Sequence, residues 1–233
     1  MTNKFSVIVA DPPWSFDDRL KMSDVPRGAQ ANYPTLTIQD IKRLPVKAAC
    51  DPDGAVLCLW VPSSLLQEGL DTMKAWGFNH KQTYVWVKSK KNEVLTREIR
   101  KGFLELVKKV KRKALKLDGK PITFRDFDFI LDATMLAFGM GRLFRQAHEI
   151  CLIGTSSNKI YKQLNNKSQR SVCFAENLRH SAKPEALQNS LEIMFPKAKK
   201  LELFARRERQ DWTCLGNEVG SKEDIRVSLA KLI

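Results

Sequence analysis

Paired cysteines are missing from this sequence. The five it has (Cys50, Cys58, Cys151, Cys173 and Cys214) are scattered and odd in number, and no Cys-x-x-Cys occurs. That excludes a disulfide framework and reads as reduced thiols in a cytoplasmic protein. Histidine is scarcer still: His80, His148 and His180 stand at no metal-ligand spacing, so no metal is expected. No apolar run approaches the length of a membrane span, and no membrane partner is expected. Met1 to Lys4, ahead of the apolar Phe5 to Ala10, is too short for a signal peptide. There is no internal repeat and no low-complexity segment.

Acidic residues are outnumbered: 40 Lys and Arg stand against 26 Asp and Glu, a formal charge of +14. Such an excess points to a polyanionic partner, nucleic acid first of all. The apolar fraction of 43% supports a packed core, and 233 residues fit one domain carrying an insertion.

Phe5 to Ala10 (FSVIVA) reads as a buried strand that runs into Asp11-Pro12-Pro13, and Ala55 to Val61 reads as a second, ended by Pro62. Between them, Asp17 to Pro34 is a long polar loop, and Thr37 caps a helix over 38–44 in a Thr-x-x-Asp arrangement. Leu65, Leu66, Leu70, Met73 and Trp76 fall at helical spacing until Gly77, and Thr83 to Val87 is a third strand. Further strands are expected at Glu149 to Ile153, Lys200 to Phe204 and Trp212 to Leu215, with a polar loop over 154–158 and a polar stretch over 163–172. A helix opens at Lys183-Pro184-Glu185. Strand–helix alternation of this kind predicts an α/β fold with a mostly parallel sheet and helices on both faces.

The character changes at Lys88. Residues 88–120 hold 13 Lys and Arg against 4 Asp and Glu, a net +9. Ile99, Phe103, Leu106, Val110, Ala114 and Leu117 align on one face of a helix whose other faces are basic. Charge of a single sign on a solvated face favours nucleic-acid contact, with Lys108, Lys109, Lys111, Arg112 and Lys113 as the densest group. Phe124 to Phe138 is a second apolar helix candidate. The organisation expected is therefore one domain over 1–233, a basic helical insertion at about 88–138, and a short tail at 219–233.

Asp11-Pro12-Pro13-Trp14 carries the sharpest chemistry. In open α/β sheets ligands sit beyond the carboxyl ends of strands, where this tetrapeptide lies. Asp11 offers carboxylate acceptors, Pro12 offers a carbonyl on a stiffened chain without an N–H, and Trp14 offers a flat face for a base. Two acceptors beside an aromatic plate suit an exocyclic amino group, whose two N–H bonds lie in the plane of its ring. Gripping those hydrogens localises a delocalised lone pair and stabilises the positive charge that develops as a methyl group arrives. Four residues alone also fit a turn that closes a strand.

Further motifs follow in order: Leu59-Trp60-Val61, Trp86-Val87-Lys88, His148 to Gly154, His180-Ser181-x-Lys183-Pro184-Glu185, Leu201 to Arg206, and Trp212-x-x-Leu215-Gly216-Asn217-Glu218. The series resembles the DPPW-type adenine amino-methyltransferases, the family of the eukaryotic messenger-RNA N6-adenosine methyltransferase and of bacterial and phage DNA-adenine methyltransferases. The resemblance implies a Rossmann-like, S-adenosylmethionine-dependent fold in permuted, beta-class motif order. It implies that Asp11, Pro12, Pro13 and Trp14 hold a flipped adenine, and that Asp11 also lies near the cofactor's methionine amino group. By the same pattern Lys183 pairs with the methionine carboxylate, Leu203 and Phe204 line the cofactor, Arg206 reaches its ribose, and Asn217 and Glu218 contact its adenosine part. Tyr33 matches a loop tyrosine that closes over the base, and Arg145 and His148 fall where a second substrate-facing loop enters a strand. The glycine-rich signature of other S-adenosylmethionine enzymes is missing, as it is in this family.

Together these features favour methyl transfer to adenine N6 in DNA. The same reaction on RNA is the nearest rival, since a basic helix binds either polymer, and no separate RNA-binding module is visible in the sequence. A catalytically silent nucleic-acid-binding subunit is the alternative from another class. Monomer and homodimer both stay open.

Overall fold

A computed structural model describes residues 4–15, 36–91, 136–139, 143–177, 182–220 and 223–233. Between 91 and 136 it also describes the isolated positions 97, 101, 104, 105, 108, 116, 117, 120 and 121. Chain contacts divide it into two compact units. The first comprises Met1–Val85, Glu149–Ser171 and Leu187–Ile233; the second comprises Trp86–His148 and Val172–Ala186.

The first unit is built on β1 (Val7–Ala10), a four-residue apolar strand buried along its whole length. Continuous apolarity is what a strand covered on both faces requires. β1 lies between β2 (Val56–Val61) and β8 (Lys200–Leu203) and is parallel to both, and β9 (Trp212–Leu215) continues the parallel set beyond β8. β6 (His148–Thr155) runs antiparallel to β2. With β3 (Asn79–Ser89) and β7 (Val172–Glu176) the full order is β7-β3-β6-β2-β1-β8-β9, a mostly parallel mixed sheet of seven strands. This is the expected α/β class, with the chain's first strand placed inside the sheet.

Helices α1 (Ile38–Arg43), α2 (Val46–Ala49), α3 (Leu66–Ala75), α4 (Ala186–Met194) and α5 (Ile225–Leu232) connect and follow these strands. Thr37 caps α1 as read from the sequence, its hydroxyl accepting from the Asp40 N–H at 3.1 Å. Ile41 of α1, Met73 of α3 and Trp76 join Ile8, Leu57, Leu59, Leu152 and Leu201 in one apolar core. Gly69 of α3 sits so close to β2 that a Cβ there would come within 2.6 Å of the Val61 side chain. No helix among the described residues is long and apolar enough to cross a membrane.

The second unit departs more from expectation. Arg97, Lys101, Leu104, Glu105 and Lys108 are helical, in line with the basic helix. Leu117, expected on that helix, instead belongs to β4 (Lys116–Leu117), which pairs antiparallel with β5 (Lys120–Pro121). The residues joining them in sequence are Asp118-Gly119, a strong hairpin signal that helical periodicity had hidden. Leu136 to Phe138, expected at the end of an apolar helix, are not helical, and Leu136 bridges Ser89. Gly154 and Thr155 continue β6 rather than opening a loop, and β7, for which no strand was expected, begins at the last residue of the polar stretch 163–172.

Candidate active site

Three strand ends meet here. Ala10 of β1 is in register with Leu203 of β8, and Leu203 with Leu215 of β9. Asp11, Phe204 and Gly216 therefore leave the sheet side by side at its carboxyl edge. The chain passes from β1 towards β2 on one side, while β8 lies on the other, so this edge is a topological switch point. Ligands of open α/β sheets bind in the crevice at such a point.

Proline chemistry ends β1, because Pro12 has no N–H to continue the ladder. The last bond is the Asp11 N–H to the Leu203 carbonyl, at 3.4 Å. The Trp14 N–H then turns back on the Pro12 carbonyl at 2.8 Å, using one of its two lone pairs. Trp14, read from the sequence as a stacking plate, is 3% exposed and belongs to the core. Its indole N–H donates to the Trp60 carbonyl at 2.9 Å, which ties the tetrapeptide to the end of β2. The Leu36 N–H donates to the Pro13 carbonyl at 3.3 Å, which holds Leu36 at the tetrapeptide. Tyr33 lies outside the described residues.

Beside Asp11, at the end of β8, Phe204 has a φ of 63°, a left-handed backbone uncommon for an aromatic residue. The Ala205 N–H donates to the Leu215 carbonyl at 2.9 Å. Gly216 lies against that same backbone: a Cβ there would stand 2.2 Å from the Ala205 oxygen. Just beyond, Arg206 and Glu218 form an ion pair at 3.5 Å, with Asn217 exposed beside Glu218. The first unit thus gathers Asp11, Pro12, Pro13, Leu203, Phe204, Arg206, Asn217 and Glu218 at neighbouring strand ends.

One acid here escaped sequence reading. Glu202, between Leu201 and Leu203, is pushed above the ordinary carboxyl pKa, by burial first and also by the negative charge of Asp11. It accepts from the Gln188 amide of α4 at 3.3 Å, while the buried Gln188 Oε1 has no hydrogen-bond partner among the described residues. No local signal marked it, since Lys200 and Glu202 are the alternating polar positions of β8. A second cluster anchors the β8–β9 connection to α4. Arg209 donates to Glu192 at 2.7 Å and to Asn189 at 2.6 Å, and the Trp212 indole donates to the same Glu192 oxygen at 2.7 Å.

The remaining candidates belong to the second unit. Lys183 is half-buried, three residues ahead of the first residue of α4. His148 is exposed at the start of β6, and the Arg145 guanidinium lies 5.8 Å from the centre of the Phe138 ring. Lys108 is exposed and pairs with Glu105 at 2.9 Å. Lys109, Lys111, Arg112 and Lys113 lie outside the described residues.

Comparison with known proteins supplies independent findings. The MT-A70 family model matches residues 5–115 and 131–218, and so leaves only 116–130 of the basic region unmatched. An N(6)-adenosine-methyltransferase MT-A70-like protein of Drosophila melanogaster is 27% identical over 93% of this chain and 27% of its own length. The human N(6)-adenosine-methyltransferase catalytic subunit METTL3 is 26% identical over 93% of this chain and 28% of its own length. The chain thus spans about a quarter of the length of these relatives. The type II methyltransferase M.MunI of Mycoplasma sp is 22% identical, over 93% of this chain and 78% of its own length.

Proposed function

This chain belongs to the MT-A70 family, and on that premise we propose that it transfers a methyl group from S-adenosylmethionine to the N6 amino group of adenine in DNA. The observation that carries the reading is the meeting of Asp11, Phe204 and the Arg206–Glu218 pair at the switch point of the sheet. The donor set suits the cofactor. Asp11 offers a carboxylate to an ammonium group, Phe204 an apolar ring, and Asn217 and Glu218 acceptors for hydroxyls. Lys183 is assigned to the methionine carboxylate on the strength of the His180-to-Glu185 motif.

S-adenosylmethionine, when bound, supplies the electrophilic methyl group of a sulfonium. The chain's own contribution is to hold the amino group. The Asp11 carboxylate and the Pro12 carbonyl accept its two N–H bonds, which localises the nitrogen lone pair and stabilises charge developing there. No strong base is required, since the proton leaves after the bond forms. Trp14 braces this corner through its bond to Trp60, so that both acceptors stay fixed. Adenine must leave its stack to reach them, and the basic region would recover that cost through phosphate contacts.

Matching most of the length of the Mycoplasma type II methyltransferase supports DNA. The relatives named as N(6)-adenosine-methyltransferases support the same reaction on RNA as the second reading. Asp11→Ala tests the chemistry: methyl transfer should disappear while calorimetric binding of S-adenosylmethionine stays measurable. Retained turnover overturns the assignment.

A further inference from the structure

Two of the most exposed apolar side chains among the described residues are consecutive. Leu143 is 93% exposed and Phe144 86%, in the second unit. Close by in sequence, Gly139 and Gln146 exchange two backbone hydrogen bonds, at 3.0 and 3.1 Å. On either side of this pair the chain is anchored to one residue of β3: the Ala137 N–H donates to the Lys88 carbonyl and the Lys88 N–H to the Ala147 carbonyl, both at 2.8 Å. Arg145 packs on Phe138. A strongly exposed apolar pair beside well-bonded backbone marks a surface that is covered in use.

Charge identifies the cover. In sequence the pair is bracketed as Arg142-Leu143-Phe144-Arg145, and the unit that carries it includes the 88–120 segment with its net +9. An exposed apolar pair with arginines next to it in sequence, in a unit of such positive charge, complements a polymer with an anionic backbone and stacked apolar bases. Leucine and phenylalanine are among the side chains that enter base steps as wedges. We infer that Leu143 and Phe144 form an apolar wedge that enters the base stack of a duplex. This inference rests on the proposed adenine methylation and adds to it a double-stranded substrate.

The test uses the full chain with Leu143→Ala and Phe144→Ala combined, and tritiated S-adenosylmethionine as methyl donor. The probes are native plasmid DNA and the same DNA heat-denatured. The variant should lose about tenfold or more on native DNA, where unstacking must be compensated. On denatured DNA it should stay within about twofold of the parent chain. Unchanged binding of S-adenosylmethionine by calorimetry shows that the variant is folded. Equal loss on both DNAs, no loss on either, or a parent chain active only on single strands each overturns the wedge. So does a parent dimer that the substitutions convert to monomer without affecting native DNA, since the pair would then face a second protein. Failure of the parent chain to methylate any DNA or RNA would instead strike the proposed function.

Discussion

Glu202 and Gly216 show how much of this site is decided by single residues. A carboxyl whose pKa rises on folding holds its proton more tightly in the folded chain than in the unfolded one. Its contribution favours the fold at low pH, and it is lost as pH climbs from the ordinary carboxyl value through the raised one. Glu202→Gln should therefore raise the melting temperature at pH 7 relative to the parent chain, with little difference near pH 4. Equal shifts at both pH values would show that the acid is not held neutral. Gly216→Ala places a methyl against the Ala205 backbone, which has no flexible end to move aside. It should cost at least about 1–3 kcal/mol of stability and weaken cofactor binding together with it, checked by urea unfolding and calorimetry. Asp11 and its neighbours could be read in advance, because Asp-Pro-Pro-Trp is contiguous. Glu202 and the demand on Gly216 could not, since both depend on β1, β8 and β9 being adjacent.

At the scale of elements, the connection between β8 and β9 is the part whose order most affects the site, because it carries Phe204 and Arg206. Glu192 holds it through Arg209 and Trp212, and those bonds keep its carboxyl below the usual pKa, the Arg209 bond foremost. A depressed carboxyl stabilises the fold above its unfolded pKa, and the effect is lost as pH falls through the folded value. Glu192→Gln should flatten the acid limb of the stability profile and raise the KM for S-adenosylmethionine more than it lowers kcat. An unchanged KM would mean that the anchor does not position Arg206. Against β2, Gly69→Ala should destabilise by about 1–3 kcal/mol, since α3 must move away from Val61. Strands and helices with strong periodicity were legible in the sequence: β1, β2, β8, β9, α3 and the Thr37 cap all lie within a few residues of expectation. The second unit was harder. Antiparallel pairing of Lys116–Leu117 with Lys120–Pro121 interrupted a helical pattern that apolar spacing alone had extended to Leu117. β7, with its mixed exposure, has none of the apolar continuity that revealed β1.

For the whole molecule, the net charge of +14 sets how the chain meets its substrate. If the basic region neutralises about five phosphates, log affinity for duplex DNA should fall with log salt at a slope near −4.5. A flat response in filter binding would remove that region from the interface. The central claim lies elsewhere, in a rigid acceptor corner that makes a ring-bound amino nitrogen take up a methyl group. Mass spectrometry of nucleosides tests it most directly, after DNA and RNA have been incubated with S-adenosylmethionine and either the parent chain or Asp11→Ala. The account predicts N6-methyladenine in the DNA digest with the parent chain and none with the variant. Methylation on another base, or N6-methyladenine that persists in the variant, would contradict it.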